Sequence, residues 1–440
     1  MHSTIVWTMV LFSRKKPVPD ATVAPEEVVE PPAGLPAAPP LREDGLRSVA
    51  DHTAYLLSLI EPLRPFGMTL LEAWDQVMCE DINSMINVPP NTTAKVQGYA
   101  VRAMDLVDAE GQMVESLALA DEKDPLLVGG AVPVLPGSVV PKGATAVLPA
   151  NFAERSADRL LLLGVVTEGD YMRAAGEHLA VGTRLLSEGE RLNERAIGML
   201  ASAGIDKVLV RPRPRVVVVS SGAELVEPGT QVEYGENTDS NSYMIAAAAR
   251  AAGATVFRVA VHSNDIDEIR TVVTDQLIRA DLVISTTGGR REDYQAVYAV
   301  MESLGFTDSV EVAMTPGRTQ TFGLIGDEKV PMVMLPGNPV SAYVSFQAFV
   351  WPLIRRLMGL EETRRGVRAI ATSTLRSTKG QVHLLRGEVF ADANIRTVER
   401  VSDPYAMAEL SRSNALIVMD EETELVRAGQ QVRCWLLDAE

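Results

Sequence analysis

Three short loops carry the residue types that hold an anion with backbone groups. Pro336-Gly337-Asn338-Pro339 follows an apolar run and precedes a long helical pattern, so Asn338 can cap that helix and Pro339 can occupy its first turn. Such a helix start presents free N–H groups and the positive end of the aligned peptide dipoles, which attract anions. Thr286-Thr287-Gly288-Gly289 and Ser220-Ser221-Gly222 also follow apolar runs, and their glycines let a ligand approach the backbone closely. Taken singly, each loop reads equally as an ordinary turn or a well-capped helix start; three at one sheet edge point to a ligand site. Arg290 and Arg291 come directly after Gly289, where they are either a solvated pair or the counter-charge of the anion. His52, His178, His262 and His383 show no metal-ligand spacing. Cys79 and Cys434 are too few and too far apart for a disulfide framework or a cysteine metal site, and read as buried thiols.

These loops need a sheet to align them. After Arg211-Pro212-Arg213-Pro214 the pattern alternates strand and helix, which predicts a doubly wound, parallel α/β domain. Strands are expected at Val216 to Ser220, Thr255 to Val261, Leu282 to Ser285, near Val310 to Ala313, and at Pro331 to Leu335. Between them, Asp239-Ser240-Asn241-Ser242 caps an Ala-rich helix ending at Ala252, and Ile266 to Leu277 keeps one apolar face. Tyr294 to Leu304 and Val340 to Met358 are expected as further helices. Upstream, amphipathic helices are expected around Val49 to Ile60, from Met68 to Met78, and from Leu192 to Gly204. Short apolar runs broken by Gly, Pro and Asp make Gly98 to Gly182 a β-rich insert, and Gly366 to Glu440 reads as a small all-β domain. Pro, Ala, Val and Glu dominate Lys16 to Glu43, a composition that cannot repay the entropy of ordering.

At 440 residues the chain is long enough for several domains. The expected division is a tail over 1–45, a helical and extended unit from 46–97 and 183–211, the insert 98–182, the α/β unit 212–360 and the β unit 361–440. A net charge of -17 opposes broad attachment to nucleic acid or to an anionic membrane. The apolar stretch Ile5 to Phe12 is far shorter than the roughly 20 residues that span a bilayer, and Met9 is a second possible start. A cytoplasmic protein without membrane insertion is expected.

The motifs also occur together in a recognisable order. Gly98-Tyr99-Ala100-Val101, Ala196-Ile197-Gly198-Met199-Leu200-Ala201-Ser202, Glu224-Leu225-Val226-Glu227-Pro228-Gly229, Asp239-Ser240-Asn241-Ser242-Tyr243-Met244, Leu335-Pro336-Gly337-Asn338-Pro339-Val340-Ser341-Ala342 and Ser413-Asn414-Ala415-Leu416-Ile417-Val418 run through the chain. From Leu46 onward the sequence resembles the molybdopterin molybdenumtransferase (MoeA) and gephyrin E-domain family. That resemblance implies a homodimer of four subdomains, in which adenylated molybdopterin binds the α/β unit and molybdate is inserted with metal-ion help. It implies ligand contacts at Ser220, Ser221, Glu224, Asp239, Ser240 and Asn241, at Gly288, Gly289, Arg290, Arg291 and Asp293, and at Pro336, Gly337, Asn338 and Ser341.

Several charged positions of the family pattern are altered. Gln97 stands where the family has the Asp of Asp-Gly-Tyr-Ala, Pro136 precedes Gly137 in place of Thr, His178 replaces an Asp after Gly-Glu, and Ala223 replaces the Asp of Gly-Asp-Glu-Leu. Thr315-Pro316-Gly317-Arg318 replaces Lys-Pro-Gly-Lys, and the Gly288-Gly289-Arg290-Arg291 loop is one residue shorter. This pattern resembles the gephyrin-like proteins of actinobacteria. By that resemblance the expected function is a homodimeric scaffold that binds the C-terminal tail of FtsZ and links the division ring to a membrane receptor at the septum, with Pro404, Tyr405 and Met407 as partner contacts. For these three, core filling of the β domain is an equal reading. The alternative is a working molybdenumtransferase that uses magnesium and molybdopterin, with Asp239, Asp293 and Glu224 holding the metal and Arg318 the phosphates.

Overall fold

A computed structural model describes residues 35–120, 125–392, 395–401 and 407–437. The following labels are used for the helices and for the strands of the central sheet. Helix α1 (Val49–Ser58) is capped by Ser48, which accepts from the Asp51 N–H, and buries His52, Tyr55 and Leu56. Helix α2 (Glu194–Ser202) starts at Asn193, whose side chain accepts from the N–H groups of Arg195 and Ala196.

No helix forms between Met68 and Met78. Phe66–Thr69 pairs antiparallel with Lys207–Arg211, and Val77–Met78 pairs with the same strand from its other edge. Asp75 lies at φ 68, outside any helix, and both ends of the segment are drawn into strand pairing instead.

The insert is a six-stranded sheet built on Gly98–Val101, Ser116–Leu119, Gly130–Val134, Ala146–Pro149, Ala153–Ser156 and Arg159–Leu162. Leu127 and Val128, although apolar, lie on the surface in a turn ahead of the third of these strands.

The α/β unit comprises β1 (Arg215–Ser221), α3 (Asn241–Ala251), β2 (Thr255–Val261), α4 (Ile266–Leu277), β3 (Leu282–Thr287), α5 (Arg291–Leu304), β4 (Gly305–Glu311), β5 (Thr319–Ile325), β6 (Val330–Leu335), α6 (Pro339–Ser345) and α7 (Trp351–Leu357). Its strand order is β2-β1-β3-β6-β5-β4. The first four strands are parallel, while β5 and β4 add an antiparallel edge. The sheet is therefore mixed rather than wholly parallel, because the hairpin from β4 to β5 replaces a helical crossover. One π-helical turn at Phe346–Val350 joins α6 to α7, so the expected long helix is interrupted just before Pro352, which has no N–H to continue the ladder.

Alternation along β1 explains its run of four valines, Val216 to Val219. Val216 and Val218 face one core with Ile245, Ala249, Phe322, Phe346 and Phe349; Val217 and Val219 face the other with Ile269, Val273, Val297 and Met301. Covered on both faces, the strand has no polar side to keep. The C-terminal domain is a six-stranded sheet of Met314–Thr315, Gly366–Ala371, Val382–Asp392, Ile395–Arg400, Ala415–Met419 and Gln431–Leu436, with one short helix, α8 (Met407–Leu410). Of the expected tail, residues 1–34 lie outside the described part. Arg42 is anchored on the C-terminal domain through the Gly380 carbonyl and the Glu421 carboxylate, each at 3.0 Å. Among the described residues no helix is long and apolar enough to cross a membrane.

Candidate active site

Parallel strands β1, β3 and β6 all end at one edge, and the loops after them meet there. Gly288 N–H donates to the Ser221 carbonyl at 3.2 Å, tying the loop after β3 to the end of β1. A Cβ built on Gly337 would lie 2.3 Å from the Gly288 carbonyl oxygen, so the loops after β3 and β6 are in backbone contact and this position requires glycine. Asn241, at the start of α3, donates from Nδ2 to the Gly337 carbonyl at 2.7 Å. Asn338 caps α6 by accepting from the N–H groups of Val340 and Ser341, both at 3.1 Å. The three loops read from sequence thus form one constellation.

The loops after β3 and β6, with the start of α3, border a cavity of about 820 Å³. Asp239, Ser240, Asn241, Gly288, Gly289, Arg290, Arg291, Pro336, Gly337 and Asn338 line it. Ser220, Ser221, Glu224, Asp293 and Ser341 are buried behind that lining. Sequence reasoning missed Leu225, Asn237 and Thr238, which enter through a two-stranded parallel ribbon of Leu225–Val226 with Asn237–Thr238. Strands of two residues leave no periodicity to detect. Thr319 and Tyr294 were also missed, although each adjoins a residue already singled out.

Behind the cavity lining lies a group of buried polar atoms without partners. The hydroxyls of Ser220, Ser221, Ser285 and Thr286, Oδ1 of Asn241, and both carboxylates of Glu224 and Asp293 find no hydrogen bond among the described residues. Leaving such groups unpaired costs about 1–3 kcal/mol each, so a fold keeps several together only where something else supplies partners. Glu224 and Asp293 adjoin one another and the Gly288 backbone. Burial, followed by the influence of the neighbouring Glu224 carboxylate, pushes the Asp293 carboxyl up to about 6.

Asp239 is engaged differently. Its carboxylate accepts from the Ser242 N–H at 3.0 Å and from the Ser242 hydroxyl, and Arg258 Nη1 lies 3.6 Å away. Arg258 is fixed in turn by Glu227 at 2.9 Å and stacks over Tyr243. The three carboxylates expected to hold a metal therefore do not converge, and no group of three His, Cys, Asp or Glu side chains among the described residues forms a cation site.

The altered positions fall elsewhere in the chain. Gln97 and Pro136 sit at one end of the paired strands Gly98–Val101 and Gly130–Val134, while His178 lies beside Glu177, which pairs with Lys95 at 3.0 Å. All three are exposed, and none lines the cavity. Ala223 is exposed beside the buried Glu224. Thr315 donates to Gln381 Oε1 at 2.9 Å, and Arg318 pairs with Glu311 at 3.5 Å. Pro404 and Tyr405 lie outside the described residues. Met407 begins α8 beside α6 and is partly exposed.

Residues 47–204 match the model of the MoeA N-terminal region (domain I and II), 217–356 that of a probable molybdopterin binding domain, and 368–437 that of the MoeA C-terminal region (domain IV). The chain belongs to the MoeA family. Among its MoeA relatives, molybdopterin molybdenumtransferase 2 of Mycobacterium tuberculosis is 32% identical over 406 residues, covering 89% of this chain and 99% of the relative. Molybdopterin molybdenumtransferase 1 of the same organism is 32% identical over 417 residues, covering 88% and 98%. A MoeA structure from Pyrococcus horikoshii superposes at TM-score 0.64 with 25% identity over 89% of this chain and 100% of that one. A further MoeA structure from that organism, at TM-score 0.75 and 23% identity over 90% and 100%, shares the MoeA fold.

Proposed function

We propose that this chain binds molybdopterin in the strand-edge cavity and acts as a MoeA-type molybdopterin molybdenumtransferase. One observation carries the reading: the cavity of about 820 Å³ is the size of a small-molecule site and is lined by the loops after β3 and β6 and the start of α3, all within the segment that matches a molybdopterin binding domain. The N–H groups at the starts of α5 and α6, with Arg290 and Arg291, would receive the anionic groups of the pterin. Asn237, Asn241 and Asn338 offer amides to its polar ring edges. Relatives named molybdenumtransferase along nearly their whole length weigh in the same direction. Magnesium enters no step here, since Asp239 is already held by Ser242 and Arg258.

The test is a fluorescence titration of the purified protein with molybdopterin, followed by an assay of molybdate insertion into the adenylated form. Saturable binding and insertion support the reading; absence of binding sinks it.

A second reading has its own observation. A cavity of about 30 Å³ lies between the α/β and C-terminal domains, lined by Thr315, Pro316, Val340, His383, Leu384, Leu385, Arg386, Arg400 and Val401. On this reading a cytoplasmic homodimer uses that cleft to hold the FtsZ C-terminal tail and a membrane receptor at the septum, with Pro404, Tyr405 and Met407 as the contacts expected from sequence. Gln97, Pro136, His178, Ala223, Thr315 and Arg318 would then be the marks of lost catalysis. Its small cleft makes it the lesser reading. Calorimetry with an FtsZ tail peptide decides it, and no heat of binding would remove it.

A further inference from the structure

The buried carboxylate pair presents an electrostatic problem that the cavity has to solve. Glu224 is 2% exposed and Asp293 1% exposed; neither carboxylate makes a full hydrogen bond to a described residue, although the Ala223 N–H lies near Asp293 and the two carboxyls adjoin. Two like charges in that position repel, and an isolated buried charge is strongly disfavoured. The cation placed against them is Arg290, whose Nε lies 3.9 Å from Glu224 Oε2. Its position is not a chance surface rotamer: Arg290 precedes α5 with extended backbone, φ -88 and ψ 145, and its Nη2 donates to the Gly235 carbonyl at 2.9 Å across the cavity mouth. One side chain therefore bridges the loop after β3, the carboxylate pair and the loop 227–236.

We propose that Arg290 takes the place of a divalent cation at the Glu224–Asp293 pair, so that this cavity receives its anionic ligand on a guanidinium rather than through a metal bridge. The donor set favours this. Magnesium binds through one or two carboxylates and completes its shell with water, but Asp239 is committed to Ser242 and Arg258, and the remaining pair already faces the Arg290 guanidinium, which a cation would have to displace. A guanidinium needs no such shell and presents further donors toward the cavity, where a phosphate or oxoanion can accept them.

The inference deepens the reading of the cavity as the ligand site and rests on it. Its test contains no pterin, so the two fail separately. Manganese binding to the full chain is measured at pH 7.5 by electron paramagnetic resonance for the wild type and for Arg290→Gln, Arg290→Lys and Arg290→Gln/Glu224→Gln, with circular dichroism confirming the fold. The expected pattern is no saturable site in the wild type or the lysine variant, one manganese per chain gained in Arg290→Gln, and that site lost again in the double variant. A saturable site in the wild type that the double variant lacks would overturn the proposal, as would an Arg290→Gln protein that folds and binds no manganese. If this pattern holds while molybdopterin fails to bind, the transferase reading falls and the role of Arg290 as counter-ion stands.

Discussion

Two clusters of buried polar side chains sit at different places on the α/β unit and are treated in opposite ways. Beside β4, Arg47 is 3% exposed and grips Asp308 with two hydrogen bonds, at 2.5 and 3.2 Å, while His52 lies 3.3 Å from its Nη1 and edge-on to Phe349. There the charges are matched and the cluster pins α1 to the sheet. Behind the cavity lining, Glu224, Asp293 and four hydroxyls are buried without partners. Burial alone therefore does not distinguish a structural polar group from a functional one; the supply of partners does.

The largest expected effect breaks the paired cluster. Arg47→Ala leaves the Asp308 carboxylate largely buried and uncompensated, and should cost about 3–5 kcal/mol in urea unfolding. Arg47→Met with Asp308→Leu should recover most of that loss. If Arg47→Ala costs nothing measurable, the contrast between the clusters fails.

A smaller effect is expected from Gly337→Ala, whose Cβ collides with the Gly288 carbonyl oxygen. Overpacking of this kind costs about 1–3 kcal/mol. Because the strain falls between two cavity loops, molybdopterin affinity should drop further than stability does, which titration and thermal unfolding together would reveal.

The clusters should also respond to pH with opposite sign. His52 has its pKa lowered to about 3, first by burial and then by Arg47. The folded state resists its protonation, so its contribution is present above the unfolded value and declines below about pH 6.5, by about 1–2 kcal/mol at pH 5. Asp293, raised to about 6, behaves in the reverse way. The folded state favours its protonated form, so its contribution is present in acid and is lost as pH rises through about 6. Asp293→Asn should therefore gain about 1 kcal/mol over the wild type at pH 7.5, with the gap closing near pH 5. His52→Gln should abolish the loss below pH 6.5. Stability curves for the two variants that bend the same way would refute this assignment.

The smallest effect sharpens the site itself. Asn338→Ala removes the acceptor for the Val340 and Ser341 N–H groups and should cost about 1 kcal/mol. It should weaken molybdopterin binding without altering the unfolding of a protein that carries Arg47→Ala beyond simple additivity, since the two sites share no partner.

Much of the site was legible because its signals are local. Gly337 is demanded by a close backbone approach, Gly288 by the Glu224 carboxylate packed against it, and Asn338 by the unpaired donors of the helix it starts. Asn237, Thr238 and Leu225 were not legible, since they reach the cavity through a two-residue ribbon whose partner lies twelve positions away. The helix expected at Met68 to Met78 failed for a related reason: pairing with Lys207–Arg211, remote in sequence, outweighed the local spacing.

Residue type and short-range spacing determined the strands of the α/β unit, the capped helix starts and the family pattern, because those depend on covalent preferences and neighbouring hydrogen bonds. Only the tertiary structure decided that Asp239 is committed to Arg258, that Glu224 and Asp293 face one another, and that Arg290 rather than a third carboxylate stands against them. Those are questions of which charges meet in a low-dielectric interior, and that depends on contacts among segments far apart in the chain.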